Sequence, residues 1–322
     1  MMTHRLPLPA LDGRDPLGFL AALGLLRLLT RHTDAEVRLG FDEMTAHATL
    51  YSPYETCDQV GDQLTSIAAT MSDDAVIPGL PATFPLPKSG TRGSDPMRVA
   101  RDNYPTLHTT IAALGDEAEQ WLSCIVTDLG RDDRGRVALT PYSAPSGQQT
   151  VRSFFGASAT QIRAQPHHLL AALTGWRRVT GFTGEYLDHR VLHSTTDHPR
   201  GEPGSERGVP GATWLAIMAL PLLRLAGNGN TATATLWRPP KSGGRRIMIW
   251  PLWRQPLDLI AISALIEHPD LTFDSDGSHV TVSKDKISAL GVFAVAAAHR
   301  RPVEGRKSAG VLVPLPVTLT NS

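Results

Sequence analysis

Asp188-His189-Arg190-Val191-Leu192-His193, followed by Asp197-His198, is the stretch whose residue types come nearest to metal chemistry. His189 and His193 stand four apart, the spacing that puts two imidazoles on one helical face, and Asp188 and Asp197 add carboxylates beside them. Such a set would serve a metal-dependent hydrolase. There is no HExxH, however, and Thr195-Thr196 and Pro199 oppose a long helix, so a solvated polar loop accounts for the same residues. No GxSxG elbow, Walker phosphate loop, GxGxxG or CxxC motif occurs. The acidic pairs Asp42-Glu43, Asp73-Asp74 and Asp132-Asp133 lie in turn-like contexts where solvated charge is explanation enough. No nucleophile has an identifiable base, so the chain is read as non-enzymatic and without a cofactor.

Binding a polyanion asks for less: several Lys or Arg side chains on loops or convex segments, with hydroxyls and amides to set register. Four stretches qualify. They are Lys88, Arg92, Arg98 and Arg101; Gln148, Gln149 and Arg152, with Ser146; Lys241, Arg245 and Arg246, with Arg254; and Arg300, Arg301, Arg306 and Lys307. Lys241-Ser242-Gly243-Gly244-Arg245-Arg246 is the most specific of them, since a glycine-flanked basic hairpin can enter a groove. Trp237, Trp250, Trp253 and Tyr142 offer rings for stacking on unpaired bases, although tryptophans in apolar strands are more often core. The reading requires the cations of the second half to converge, once folded, in one groove.

The elements that must position these residues read as α+β, with short antiparallel strands, two buried apolar helices and long basic loops. Asp15 caps and Pro16 opens a helix over 16–29 that is apolar on nearly every face. Gly18 and Gly24 weaken that helix by roughly 1 kcal/mol each, which close backbone packing would explain. Strands are expected over 37–41 and 46–50, a helix to residue 71, a Pro/Gly-rich basic loop over 77–105, a helix over 106–129 and a strand at 137–139. A helix follows over 160–176, then a Pro/Gly linker over 199–211, a second apolar helix over 212–225, and a strand pair over 231–237 and 246–253 around the basic hairpin. A helix at 257–267, a strand pair over 271–282 and a helix over 286–298 close the chain.

The 322 residues are enough for one large domain or two intimate ones. With 41% hydrophobic and 19% charged residues the chain is too apolar to be disordered, and its apolar runs are too short to span a bilayer. The N-terminus does not read as a secretory signal, so a cytoplasmic protein is expected. Cys57 and Cys124 lack the spacing of a disulfide framework or a zinc finger. The net charge of zero conceals two halves: residues 1–150 hold 12 Lys and Arg against 19 Asp and Glu, and residues 151–322 hold 19 against 12. A half at −7 and a half at +7 either attract each other or leave one side of the molecule to a polyanion.

Several segments together resemble a known family. The run from Leu11 to Arg27, with its Ala21-Ala22-Leu23-Gly24-Leu25-Leu26 core, is similar to the N-terminal helix of CRISPR-associated subunits of the type I-G (formerly I-U) systems. Ser146-Gly147-Gln148-Gln149 resembles a mid-chain Gly-Gln-Gln segment there. The stretches 212–221 and 250–257 resemble a Leu-Ala helix followed by a Pro-Leu-Trp strand. The resemblance implies a large-subunit-like or accessory member of an RNA-guided DNA surveillance complex. Its partners would be guide RNA, target DNA and other effector subunits, and it needs no catalytic residue because base pairing supplies specificity.

Overall fold

The computed structural model describes residues 4–86, 95–132, 134–145, 149–191, 206–302 and 310–321. The chain opens with β1 (His4–Asp12), α1 (Pro16–His32), β2 (Arg38–Phe41), β3 (His47–Ser52) and α2 (Cys57–Ala69). The three strands form an antiparallel sheet in the order β1-β3-β2. The Asp15 carboxylate accepts from the amides of Leu17 (2.9 Å) and Gly18 (3.3 Å) and so caps α1 as its sequence demands. Every residue from 16 to 29 is buried, as all-round apolarity requires.

Next come α3 (Tyr104–Ala112), α4 (Asp116–Ser123), β4 (Val126–Arg131), β5 (Val137–Leu139), α5 (Val151–Ala164), α6 (His167–Thr174), β6 (Val179–Thr180), β7 (Arg207–Gly208) and α7 (Pro210–Met218). β8 (Leu225–Gly227), β9 (Ala232–Ala234), β10 (Trp237–Arg238) and β11 (Ile247–Trp253) follow. The chain ends with α8 (Leu259–Glu267), β12 (Asp274–Ser275), β13 (Val280–Ser283), α9 (Lys284–Ala289), β14 (Val292–Arg301), β15 (Val311–Leu315) and β16 (Val317–Thr320). The largest sheet is antiparallel with order β15-β14-β11-β10-β9-β8, and a small sheet β12-β13-β16 contains a parallel pair. The architecture is α+β.

One apolar core runs through both halves of the chain, from Leu6 to Leu312. At its centre α1 packs along α7, so closely that a Cβ on Gly24 would stand 1.7 Å from the Leu215 carbonyl oxygen. The glycine is there for backbone contact, as its cost to the helix suggests. Trp250 and Trp253 pin the large sheet to the first unit: their indole N–H groups donate to the Gly13 carbonyl (2.7 Å) and the Leu39 carbonyl (2.8 Å), and their rings pack on Phe19 and Phe41. With Trp237 and Tyr142 they are buried. None of the four rings is a stacking platform for bases.

The structure departs from the sequence expectations where long-range pairing outweighs local preference. Residues 292–298, expected to continue a helix, lie in β14, held between β11 and β15. Gly291 at φ +71° ends α9, and the alanines that favour a helix also suit a strand covered on both faces. The helix expected over 106–129 is α3 and α4, parted at Gly115 (φ +108°), and then β4. The helix expected over 212–225 stops at Met218 and gives way to a 3-10 turn holding Pro221 and then to β8. Of the stretch 199–211, the described part is in regular structure: β7 pairs with β6, and Pro210 takes the first-turn position of α7.

Candidate nucleic-acid interface

The hairpin between β10 and β11 turns through Gly243 (φ +83°) and Gly244 (φ +113°), left-handed conformations that glycine adopts freely. The Lys241 amide donates to the Phe273 carbonyl (2.9 Å) and the Ser242 amide to the Asp274 carboxylate (3.0 Å), which tie the loop to the segment leading into β12. β11 pairs with β14 through Met248 opposite Ala298. The pairing ends there, so Arg245 and Arg246 lie on the hairpin beyond it, with Arg245 and Arg301 both near His299. Lys241, Arg245 and Arg301 are exposed and Arg246 is half-buried. Among the described residues none of the four has a carboxylate partner. Burial, with Arg245 and Arg301 nearby, lowers the His299 pKa. Like charges gathered at one end of the sheet repel, so this end is electrostatically incomplete.

Beside it lies a cleft of about 520 Å³, walled by the segment 139–145, by β8 and β9, and by Arg245 and Arg246. Arg245 and Arg246 line this cleft and Arg245 and Arg301 both act on His299, so cations from two of the four basic stretches come together here, with Lys241 on the same hairpin.

Five other predicted contacts have different work. Arg300 is 4% exposed. Its guanidinium donates to the carbonyls of Pro141 (3.2 Å), Tyr142 (2.8 Å), Tyr186 (3.1 Å) and Gly310 (2.9 Å). Arg152 donates to the carbonyls of Asp74, Ala82, Phe84 and Leu86 at 2.6–2.9 Å and staples that loop to α5. Arg98 donates to the Gln149 carbonyl (2.8 Å) and lies 4.0 Å from Asp95, and Arg101 donates to the Gly229 carbonyl (3.0 Å). Arg254 pairs with Glu43 at 3.2 Å. In each of these the guanidinium already holds backbone carbonyls or a carboxylate, which leaves it less for a phosphate than the sequence reading expects. Lys88, Arg92, Gln148, Arg306 and Lys307 lie outside the described residues.

Gln149 also turns inward, its amide donating to both carboxylate oxygens of Glu185 (2.7 and 2.8 Å). Glu185 is 6% exposed and stands in a left-handed turn, with φ +58°, +56° and +55° at Gly184, Glu185 and Tyr186. Each non-glycine residue in that conformation costs roughly 1–2 kcal/mol, so the surrounding contacts must hold it. Arg300, donating to the Tyr186 carbonyl, is one of those contacts. Burial pushes the Glu185 carboxyl up to about 7 against the opposing pull of Gln149 and Arg300. Burial likewise lowers Arg300 to about 10, with Glu185 opposing. A lone glutamate after a glycine carries no signal in the sequence, and this knot was missed there.

The acidic and histidine stretch around residue 188 gains an unexpected member. Ligand atoms of Asp15, Asp188 and His189 lie within 4.8 Å of one another. Asp15 was legible only as a helix cap. Arg190 bridges the two carboxylates, at 2.7 Å from Asp15 and 3.1 Å from Asp188, and Arg178 sits 2.6 Å from the other oxygen of Asp188. Burial acts to raise Asp188, but Arg190 and Arg178 outweigh it and hold the carboxyl below its ordinary value. Burial raises Asp15 to about 6, against Arg190. Two guanidinium groups thus already supply the positive charge that a metal would bring. His193 and Asp197 lie outside the described residues. No helix among the described residues is long and apolar enough to cross a membrane. No family model and no curated protein matches the chain.

Proposed function

We propose that the chain is a non-catalytic, cytoplasmic nucleic-acid-binding subunit of a CRISPR type I RNA-guided DNA surveillance complex, contacting the backbone of guide RNA or target DNA beside other effector subunits. The observation that carries the binding reading is the set Arg245, Arg246 and Arg301 at one end of the β11–β14 pair, with Lys241 on the same hairpin, all without a carboxylate partner among the described residues. Phosphates would relieve the repulsion there. The resemblance of the helix around Gly24 and of the Gly-Gln-Gln and Pro-Leu-Trp segments supports the choice of complex. The test is filter binding of single-stranded RNA and duplex DNA over a range of salt, with Lys241→Glu, Arg245→Glu and Arg246→Glu combined. Weaker binding with a salt slope reduced by about 1 per lost phosphate contact is expected. Unchanged affinity and slope would reject this end of the sheet as the interface.

A metal-dependent hydrolase is the second reading, favoured by the 4.8 Å cluster of Asp15, Asp188 and His189. Stoichiometric zinc or manganese in the purified protein, lost on His189→Ala, would favour it over the first. The arginines on both carboxylates argue the other way.

A further inference from the structure

We infer that His299 is a proton-dependent contact of the nucleic-acid interface, joining Arg245 and Arg301 on a phosphodiester when its imidazole takes up a proton from solvent. The inference rests on the nucleic-acid reading and deepens it: His299 lies outside every basic stretch of the sequence reading, and it makes the hold on the strand depend on pH.

Alternation along β14 carries the placement. Arg300 is buried, whereas His299 is half-buried and Arg301 exposed, so the imidazole and the Arg301 guanidinium leave the strand on one side and Arg300 on the other. On β15 the two stand opposite Val313 and Val311, which bring no charge. β11 and β16 also pack on β14 and carry no ionisable side chain, and α9 carries Lys284, Asp285 and Lys286, all exposed. The charged groups that act on the imidazole are Arg245, from the hairpin, and Arg301. Neither ring nitrogen has a hydrogen-bond partner among the described residues.

Burial and the two guanidinium groups hold the imidazole below its ordinary pKa, so it is mostly neutral in the free chain at pH 7. An arriving phosphodiester reverses the balance. Its negative charge offsets the two arginines, and its oxygens accept a charge-assisted hydrogen bond from the imidazolium. The bound state then holds a proton that the free state lacks, so affinity rises as pH falls through the imidazole range. A phosphodiester stays a monoanion throughout that range, and the strand itself contributes no titration.

The full chain is titrated into a fluorescently labelled oligothymidylate, and anisotropy is read at about pH 5.5 and about pH 8, either side of the imidazole range. The wild type should bind about 5- to 10-fold more tightly at the lower pH, with a salt slope steeper by about 1. His299→Gln should match the wild type at pH 8 and lose that gain. His299→Arg should bind at pH 8 as tightly as the wild type does at pH 5.5, an outcome that a merely structural role would not give. The His299 Hε1 proton resonance, assigned by its absence from either variant, should titrate at a higher pH with the strand bound than in the free chain. If the strand binds but His299→Gln keeps the wild-type pH profile, or the resonance titrates alike with and without the strand, His299 is no contact and only the arginine interface stands. If the strand binds at neither pH, the nucleic-acid reading falls and this inference with it.

Discussion

Arg300 and Arg246 line the same cleft, and burial gives them opposite roles. All three nitrogens of the inner guanidinium donate to carbonyls, at Pro141 and Tyr142, at Tyr186 and at Gly310, whereas the outer one has no such partner among the described residues. The Glu185 carboxyl beside Arg300 yields a pH-dependent signature. Its pKa rises from 4.5 to about 7 in the folded chain. Between those values the folded state keeps a proton that the unfolded state has released. The contribution of Glu185 to stability is therefore fully present below about pH 4.5 and lost as pH rises through 7. Glu185→Gln keeps an oxygen that accepts from Gln149 and removes the titration. Its urea midpoint should climb relative to the wild type from pH 4.5 to 8. Parallel profiles would show that the carboxyl titrates normally.

At the scale of the element, α1 shows packing overruling propensity. Replacing Gly24 by alanine improves an isolated helix by about 1 kcal/mol. In the folded chain the added Cβ meets the Leu215 carbonyl oxygen at 1.7 Å, and the obstacle is backbone, which cannot rotate away. Gly24→Ala should destabilise by about 3 kcal/mol, the upper end of the cost of overpacking, read from the urea midpoint at constant m-value. A neutral or stabilised variant would mean that α1 and α7 are further apart. The basic hairpin is an element of another kind. Its glycines and its two hydrogen bonds toward β12 set its shape, while its cations remain available.

For the whole molecule, the acidic and basic halves meet through the pairs Arg190–Asp15 and Arg254–Glu43, so part of the charge asymmetry is spent inside the protein. Part of the remainder lies where Arg245 and Arg301 come together. The halves also share a single core, with α1 from one and α7 from the other at its centre. Urea unfolding should therefore be one transition, with tryptophan fluorescence and far-ultraviolet circular dichroism coinciding, and residues 1–150 alone should show no cooperative unfolding. Two separated transitions would indicate two independent units.

Signals whose cause lies within a few residues were legible in the chain itself: the Asp15 cap and Pro16 start of α1, its all-round burial, the tight glycines and the basic hairpin with its strands. Each depends on local geometry or on how many faces of one element are apolar. The sequence could not tell β14 from a helix, because its alanines suit both and only pairing with β11 and β15 decides. Nor could it separate Arg98, Arg101, Arg152 and Arg300, which hold carbonyls, from Arg245 and Arg301, which hold none among the described residues. An arginine reads the same in the chain whether its guanidinium ends in solvent or among carbonyl oxygens 51 to 159 residues away. That distinction is made by tertiary structure, since burial and hydrogen-bond partners are properties of the space around a side chain.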